Sequence, residues 1–141
     1  MPAGPYAGDL SPKEAWDLLA KEPGARLVDV RTDAEWAFVG GPDTAPLGKP
    51  TERISWQVFP AMAINPAFAD QVAASAADKS QPILFLCRSG ARSRDAAITL
   101  TQAGFTRCYN IADGFEGPMD PARHRGAVSG WKASGLPWKQ S

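Results

Sequence analysis

Cys87 stands where a thiol can act as a nucleophile. It ends the apolar run Pro82-Ile83-Leu84-Phe85-Leu86 and opens Arg88-Ser89-Gly90-Ala91-Arg92-Ser93, after which a helical pattern begins. A run of large apolar residues reads as a buried strand of a parallel sheet. The thiol therefore falls at the carboxyl end of a strand and the amino end of a helix. Open α/β sheets bind ligands at that edge, and a helix N-terminus offers free N–H donors and partial positive charge to an anion. Arg88, Arg92 and Arg94 place three cations close by. A thiol in such surroundings is expected to be a thiolate near neutral pH.

The other chemically capable side chains read more plainly. Cys108 falls in a strand expected over residues 107–112 and is a core thiol. Neither the spacing of the two cysteines nor their setting fits a metal motif, and both are expected free. His124, the only histidine, sits in Arg123-His124-Arg125, a solvated loop. The five tryptophans read as core and lid packing.

Elements that position Cys87 follow from local signals. Ser11-Pro12-Lys13-Glu14 combines an N-cap serine, a proline at the first helical position and a capping-box glutamate. The helix it starts should run to about Ala20, with Trp16, Leu19 and Ala20 inward. Residues 25–30 form the next strand, ending in Asp29-Val30-Arg31, and Thr32 caps a short helix over 33–38. The Gly/Pro-rich stretch 39–51 reads as loop, residues 54–59 as a strand, and Asn65-Pro66 as the start of a helix carrying Phe68, Val72 and Ala76 to near Asp78. A further helix over 93–103 buries Ala96, Ala97 and Leu100 and stops at Gly104. Residues 114–125 are polar loop, 128–134 a short helix, and Leu136-Pro137-Trp138 folds back on the body. Strands alternating with helices imply a parallel sheet covered on both faces.

Composition narrows the functional classes. The 141 residues, 44% hydrophobic and 21% charged, suit one globular domain over 1–141. Fifteen basic and fifteen acidic residues cancel, which argues against a nucleic acid or a membrane surface as partner. The positive charge is local to the cysteine loop and suits a small anion. No apolar run approaches the roughly 20 residues that span a bilayer. Met1-Pro2-Ala3-Gly4-Pro5-Tyr6 lacks the basic start and apolar stretch of a signal peptide, so a cytoplasmic location is expected.

Three motifs together resemble the rhodanese-like sulfurtransferase family. Leu27-Val28-Asp29-Val30-Arg31, followed by Asp33-Ala34-Glu35-Trp36, is similar to its aspartate-containing strand end. Leu86-Cys87-Arg88-Ser89-Gly90-Ala91-Arg92-Ser93 is similar to its active-site loop, and Gly130-Trp131-Lys132-Ala133-Ser134-Gly135-Leu136-Pro137 to its terminal segment. The resemblance spans nearly the whole chain. It implies a three-layer α/β/α fold with a five-stranded parallel sheet, a short first strand near residues 6–10, and the Asp29 strand beside the Cys87 strand. The stretch 39–51 stands where the family has a His-Ile-Pro-Gly-like turn, and the segment between Gly114 and Gly130 is longer than usual.

The resemblance also implies an activity: transfer of a sulfane sulfur from a small anion such as thiosulfate to cyanide, a thiol or a sulfur-acceptor protein, through a persulfide on Cys87 and without cofactor or metal. In that chemistry Arg88, Ser89, Gly90, Ala91, Arg92 and Ser93 bind the substrate, their N–H groups and hydroxyls turned to the sulfur. Gly90 permits the tight curvature, positive φ included. Asp29 supports the loop by a bidentate pair with Arg92. A cysteine phosphatase or arsenate reductase is the enzymatic rival, yet it needs an arginine six positions after the cysteine. Here arginines fall one, five and seven positions on, and position six is Ser93. A non-enzymatic binding module on the same fold is the other alternative, and such modules commonly lose the cysteine or loop arginines that this chain keeps.

Overall fold

The apolar run ahead of Cys87 forms a strand buried on both faces, and the architecture is built around it. The structure is a computed structural model that describes residues 6–49, 51–58, 63–74, 78–88, 90–117 and 130–139. In chain order the elements are β1 (Gly8–Leu10), α1 (Pro12–Lys21), β2 (Arg26–Asp29), α2 (Asp33–Phe38), β3 (Gly41–Pro42), a 3-10 turn (Ala45–Leu47), β4 (Thr51–Arg53), β5 (Gln57–Val58), β6 (Ala63–Ile64), α3 (Phe68–Ala74), β7 (Ile83–Leu86), α4 (Ala91–Gln102), β8 (Cys108–Ile111) and β9 (Trp138–Lys139). Five of them make a parallel sheet in the order β1-β8-β7-β2-β4. This is the α/β sheet expected, and Asp29 pairs in register with Leu86, the residue before Cys87.

Alternation along the strands sorts the core into two layers. Val28, Val30, Ile83, Phe85, Cys87 and Cys108 face a cluster with Phe68 and Val72 of α3 and Ala96, Ala97 and Leu100 of α4. Leu27, Leu84, Leu86 and Ile111 face the opposite cluster with Ala15 and Leu19 of α1, Phe115 and Trp131. Cys87 thus shares a sheet face with α4, the helix its loop starts.

The capping box of Ser11 with Glu14 on α1 forms as expected, and Thr32 caps α2 as expected, where Glu35 completes a second box. The inward face of α1 is slightly rotated from expectation. Ala15 is buried and Ala20 exposed, because Ala15 is four residues before Leu19 on one helical stripe.

Two expectations for the chain ends and edges are corrected. The edge strand of the main sheet is β4, not residues 54–59. Its polar Glu52 is held by Arg26 of the neighbouring β2 through Nε–Oε2 and Nη2–Oε1 contacts, both 2.6 Å, so pairing across the edge replaces apolar burial. Ile54 and Trp56 still hydrogen-bond to the Asp29 and Val30 carbonyls and pack on the core, Trp56 edge-on to Phe68 at 5.2 Å. Residues 57–58 then form a separate two-stranded ribbon with β6. The helix expected over 128–134 is, where described, a run of turns; Gly130 with φ of 99° and Gly135 with φ of 75° bound it, and residues 128–129 lie outside the described residues. Trp138 folds back as expected, in β9 against β3.

Among the described residues no helix is long and apolar enough to cross a membrane.

Candidate active site

Cys87 lies one residue past β7, 1% exposed, with its sulfur turned to the start of α4. The Gly90 N–H donates to Sγ at 3.0 Å and the Ser93 hydroxyl lies 3.2 Å from it. Gly90 is the N-cap of α4 with φ of 114°. A Cβ at Gly90 would meet nothing closer than 3.6 Å, so the conformation rather than space demands glycine there. The loop is thereby short enough to cup one sulfur atom.

A second turn braces the base of this loop from β8. Cys87 O accepts from Phe115 N–H at 2.8 Å, and Arg88 O accepts from Glu116 N–H at 3.0 Å. Such contact requires Gly114: its φ is 61°, and a Cβ there would overlap the Cys87 carbonyl oxygen and the Arg88 backbone. Asp113, beside it, is the one described non-glycine residue with positive φ, 63°. The turn is not merely the polar loop its composition suggests.

The expected Asp29–Arg92 brace does not form; two separate pairs replace it. Asp29 and Arg31 are both 0% exposed and pair through Nε–Oδ1 at 2.9 Å and Nη2–Oδ2 at 2.7 Å. Residues two apart at a strand end project to the same side, which gives Asp29 a nearer guanidinium than Arg92. Arg31 also donates to Gly40 O at 2.6 Å and stacks over the Phe115 ring at 4.5 Å. Asp29 therefore supports the site through β2 and the Phe115 turn.

Arg92 reaches instead to Glu35 on α2, with Nη1–Oε1 at 2.6 Å and Nη2–Oε2 at 2.9 Å. Burial works against the Glu35 charge, but the Arg92 hydrogen bonds and charge, with the Thr32 N–H, outweigh it and hold the carboxyl below its ordinary value. The same carboxylate accepts the capping bonds of Thr32, so one glutamate joins the α2 cap to the cysteine loop. In the sequence Glu35 stands only within Asp33-Ala34-Glu35-Trp36, and nothing there marks it as the partner of Arg92. The Arg92 charge is electrostatically coupled to Cys87.

Arg88 is exposed, Ala91 opens α4 at the surface, and Arg94 is exposed. Arg94 lines a cleft of about 420 Å³ with Tyr6, Asp9, Gly90, Asn110 and Asp113. Ser89 and His124 lie outside the described residues. Asn110, which the sequence reading passed over, touches the site: Ser93 Oγ is 2.5 Å from its Oδ1. Its signal was available, since β8 places it on the same face as Cys108 and a polar residue at a core-facing position needs a partner. Among the described residues no three His, Cys, Asp or Glu side chains gather as a metal site requires.

The arrangement gathers an amide donor, a hydroxyl and a helix start around one sulfur. The chain matches the STR4 middle domain family over residues 7–141. An uncharacterised protein of Rickettsia conorii is 41% identical over 127 residues, covering 89% of this chain and 92% of its own. The thiosulfate sulfurtransferase GlpE of Actinobacillus pleuropneumoniae is 29% identical over 129 residues, 92% of this chain and 90% of its own. The crystal structure of Rv0390 from M. tuberculosis superposes with a TM-score of 0.88 at 46% identity, over 96% of this chain and 99% of that one. The rhodanese-like domain of the Anabaena Alr3790 protein shares the fold, with a TM-score of 0.58 at 19% identity over 98% of this chain and 80% of that one.

Proposed function

The chain belongs to the rhodanese-like proteins of the STR4 middle domain family, and from that membership we propose that it is a sulfurtransferase that carries a sulfane sulfur as a persulfide on Cys87. The observation that carries the proposal is the one-sulfur cup: Sγ at the β7–α4 junction, met by the Gly90 N–H at 3.0 Å. The likeness to a thiosulfate sulfurtransferase supports the same reading.

In the first half-reaction the Cys87 thiolate attacks the outer sulfur of thiosulfate or a similar small anion. A bond forms between Sγ and that sulfur, and the donor's S–S bond breaks with its electron pair leaving on sulfite. In the second, cyanide or an acceptor thiolate attacks the outer sulfur and the Sγ–S electron pair returns to Cys87. No net oxidation and no cofactor is needed. Burial of Cys87 shields the bound sulfur, and exposed Arg88 is the cation that meets the anionic end of the donor. The acceptor is a small thiol or a sulfur-acceptor protein, and the proposed location is the cytoplasm. Ser93, buried at the position where a phosphatase loop needs arginine, supports sulfur over phosphoryl transfer.

Intact mass measurement after incubation with thiosulfate tests the proposal. Gain of one sulfur atom on Cys87, discharged by cyanide, is expected. No adduct, with turnover of an aryl phosphate, would overturn it in favour of the phosphatase reading; no adduct and no turnover would favour the binding module.

A further inference from the structure

A line of hydrogen bonds leads from Cys87 through Ser93 to residues outside the cysteine loop. Ser93, 0% exposed, carries one hydroxyl proton but has three acceptors in reach: Asn110 Oδ1 at 2.5 Å, Cys87 Sγ at 3.2 Å and Gly90 O at 3.2 Å. The shortest contact decides where that proton goes unless Asn110 turns over. It cannot turn freely. Its Nδ2 donates to Asp9 Oδ1 at 3.0 Å, and a carboxylate only accepts, so the amide oxygen is the atom left facing Ser93. Asp9 pairs with Asn110 in register across β1 and β8 and accepts from Tyr6 Oη at 2.8 Å.

Resting on the reading of Cys87 as the nucleophile, we propose that Asn110 is a positioning residue that acts on Cys87 through Ser93, by holding the Ser93 proton away from the sulfur. A hydroxyl held this way offers Sγ a lone pair. That suits a sulfur bearing a proton, and it leaves the thiolate to the Gly90 amide and the Arg92 charge. The thiolate is then less hydrogen-bonded and intrinsically more nucleophilic. The charged groups around the line are Arg92 paired to Glu35, Asp29 paired to Arg31, exposed Arg88, and Asp9, Arg94 and Asp113 in the cleft. Apart from Asp9 itself, none of them is altered in the variants below.

Alkylation of Cys87 across pH in the full chain, read by peptide mass, tests this whether or not sulfur is transferred. Failure of persulfide formation would therefore be seen separately. Asn110→Leu keeps the volume and frees the Ser93 proton to the thiolate, so the thiolate fraction at about pH 6 should rise about tenfold while each thiolate becomes about threefold less nucleophilic, and alkylation should rise about threefold. Ser93→Ala alone should not slow alkylation, and Asn110→Leu should have no effect in the Ser93→Ala background. Asp9→Asn supplies the same test without a lost side chain, because an amide at position 9 lets Asn110 turn its NH2 to Ser93. The charge change acts with or without Ser93, so the part of the rise that vanishes in Ser93→Ala belongs to the hydroxyl. Slower alkylation in Ser93→Ala would overturn the proposal, as would an Asn110→Leu or Asp9→Asn effect that is the same with and without Ser93.

Discussion

The two ends of one sheet face hold the two cysteines in opposite surroundings. Cys87 and Cys108 are 1% and 0% exposed and belong to the same apolar cluster. They sit on paired strands, Cys87 past the carboxyl end of β7 and Cys108 at the amino end of β8, level with Ile83. At the carboxyl end the sulfur meets an N–H donor, a hydroxyl and the start of α4. At the amino end it faces a carbonyl, Phe105 O at 3.8 Å, and burial pushes the Cys108 thiol up to about 11. Exposure does not separate them; the peptide pole each one faces does. A parallel sheet turns successive loop-to-helix junctions to one edge, so reactivity belongs to position in the topology.

The strongest break of this comparison is removal of each thiol. Cys87→Ser should abolish persulfide formation, whereas Cys108→Ser should leave transfer nearly intact; loss of transfer in a folded Cys108 variant would give the second thiol a role. Next comes the support beneath Cys87. Asp29→Asn leaves Arg31 buried without its counter-charge and should cost about 3–5 kcal/mol in urea unfolding, a loss that a shared effect in Arg31 variants would attribute to the pair. Gly114→Ala forces a side chain into the Cys87–Arg88 backbone and should cost at least about 2 kcal/mol, with sulfur transfer falling in the protein that remains folded.

The Glu35–Arg92 pair should matter less, because it is partly open at 19% and 16% exposure. Glu35→Gln or Arg92→Lys should each cost about 1–3 kcal/mol and be strongly non-additive together. Since the folded carboxyl is held below its ordinary value near 4.5, the unfolded chain takes up the proton first as pH falls. The pair's contribution is full above that value and fades as pH drops through the lower folded value. Glu35→Gln should flatten this acid limb of the stability profile; an unchanged limb would remove the pair from the account. Smallest is Arg88→Ala, which should raise KM for thiosulfate about two- to fivefold with little change in kcat. The effect should shrink as salt rises, since exposed charges are screened within about 8 Å at physiological ionic strength.

Much of this was legible in the residues themselves. The apolar run before Cys87, the glycine in its loop, the capping box at Ser11 and the Thr32 cap each fix a local conformation by a short-range rule, and the structure keeps all of them. What escaped depends on contacts distant in sequence. Thr51-Glu52-Arg53 has no apolar alternation, and only Arg26 on the neighbouring strand makes it an edge strand. Glu35 carries no local sign of its partner, because only folding brings Arg92, 57 positions away, to its carboxylate. The Asp29 brace failed because a nearer guanidinium, Arg31, lies two residues along the same strand end. Asn110 was a polar residue in a core register, and nothing local says that its partner is Ser93.

Competitive alkylation of the native protein at about pH 6, with both cysteines quantified in the same sample, tests most directly whether sheet edge sets reactivity. Cys87 should be modified to completion while Cys108 stays unlabelled, and the difference should vanish on unfolding in urea. Equal and slow labelling of both thiols in the native protein would contradict the account.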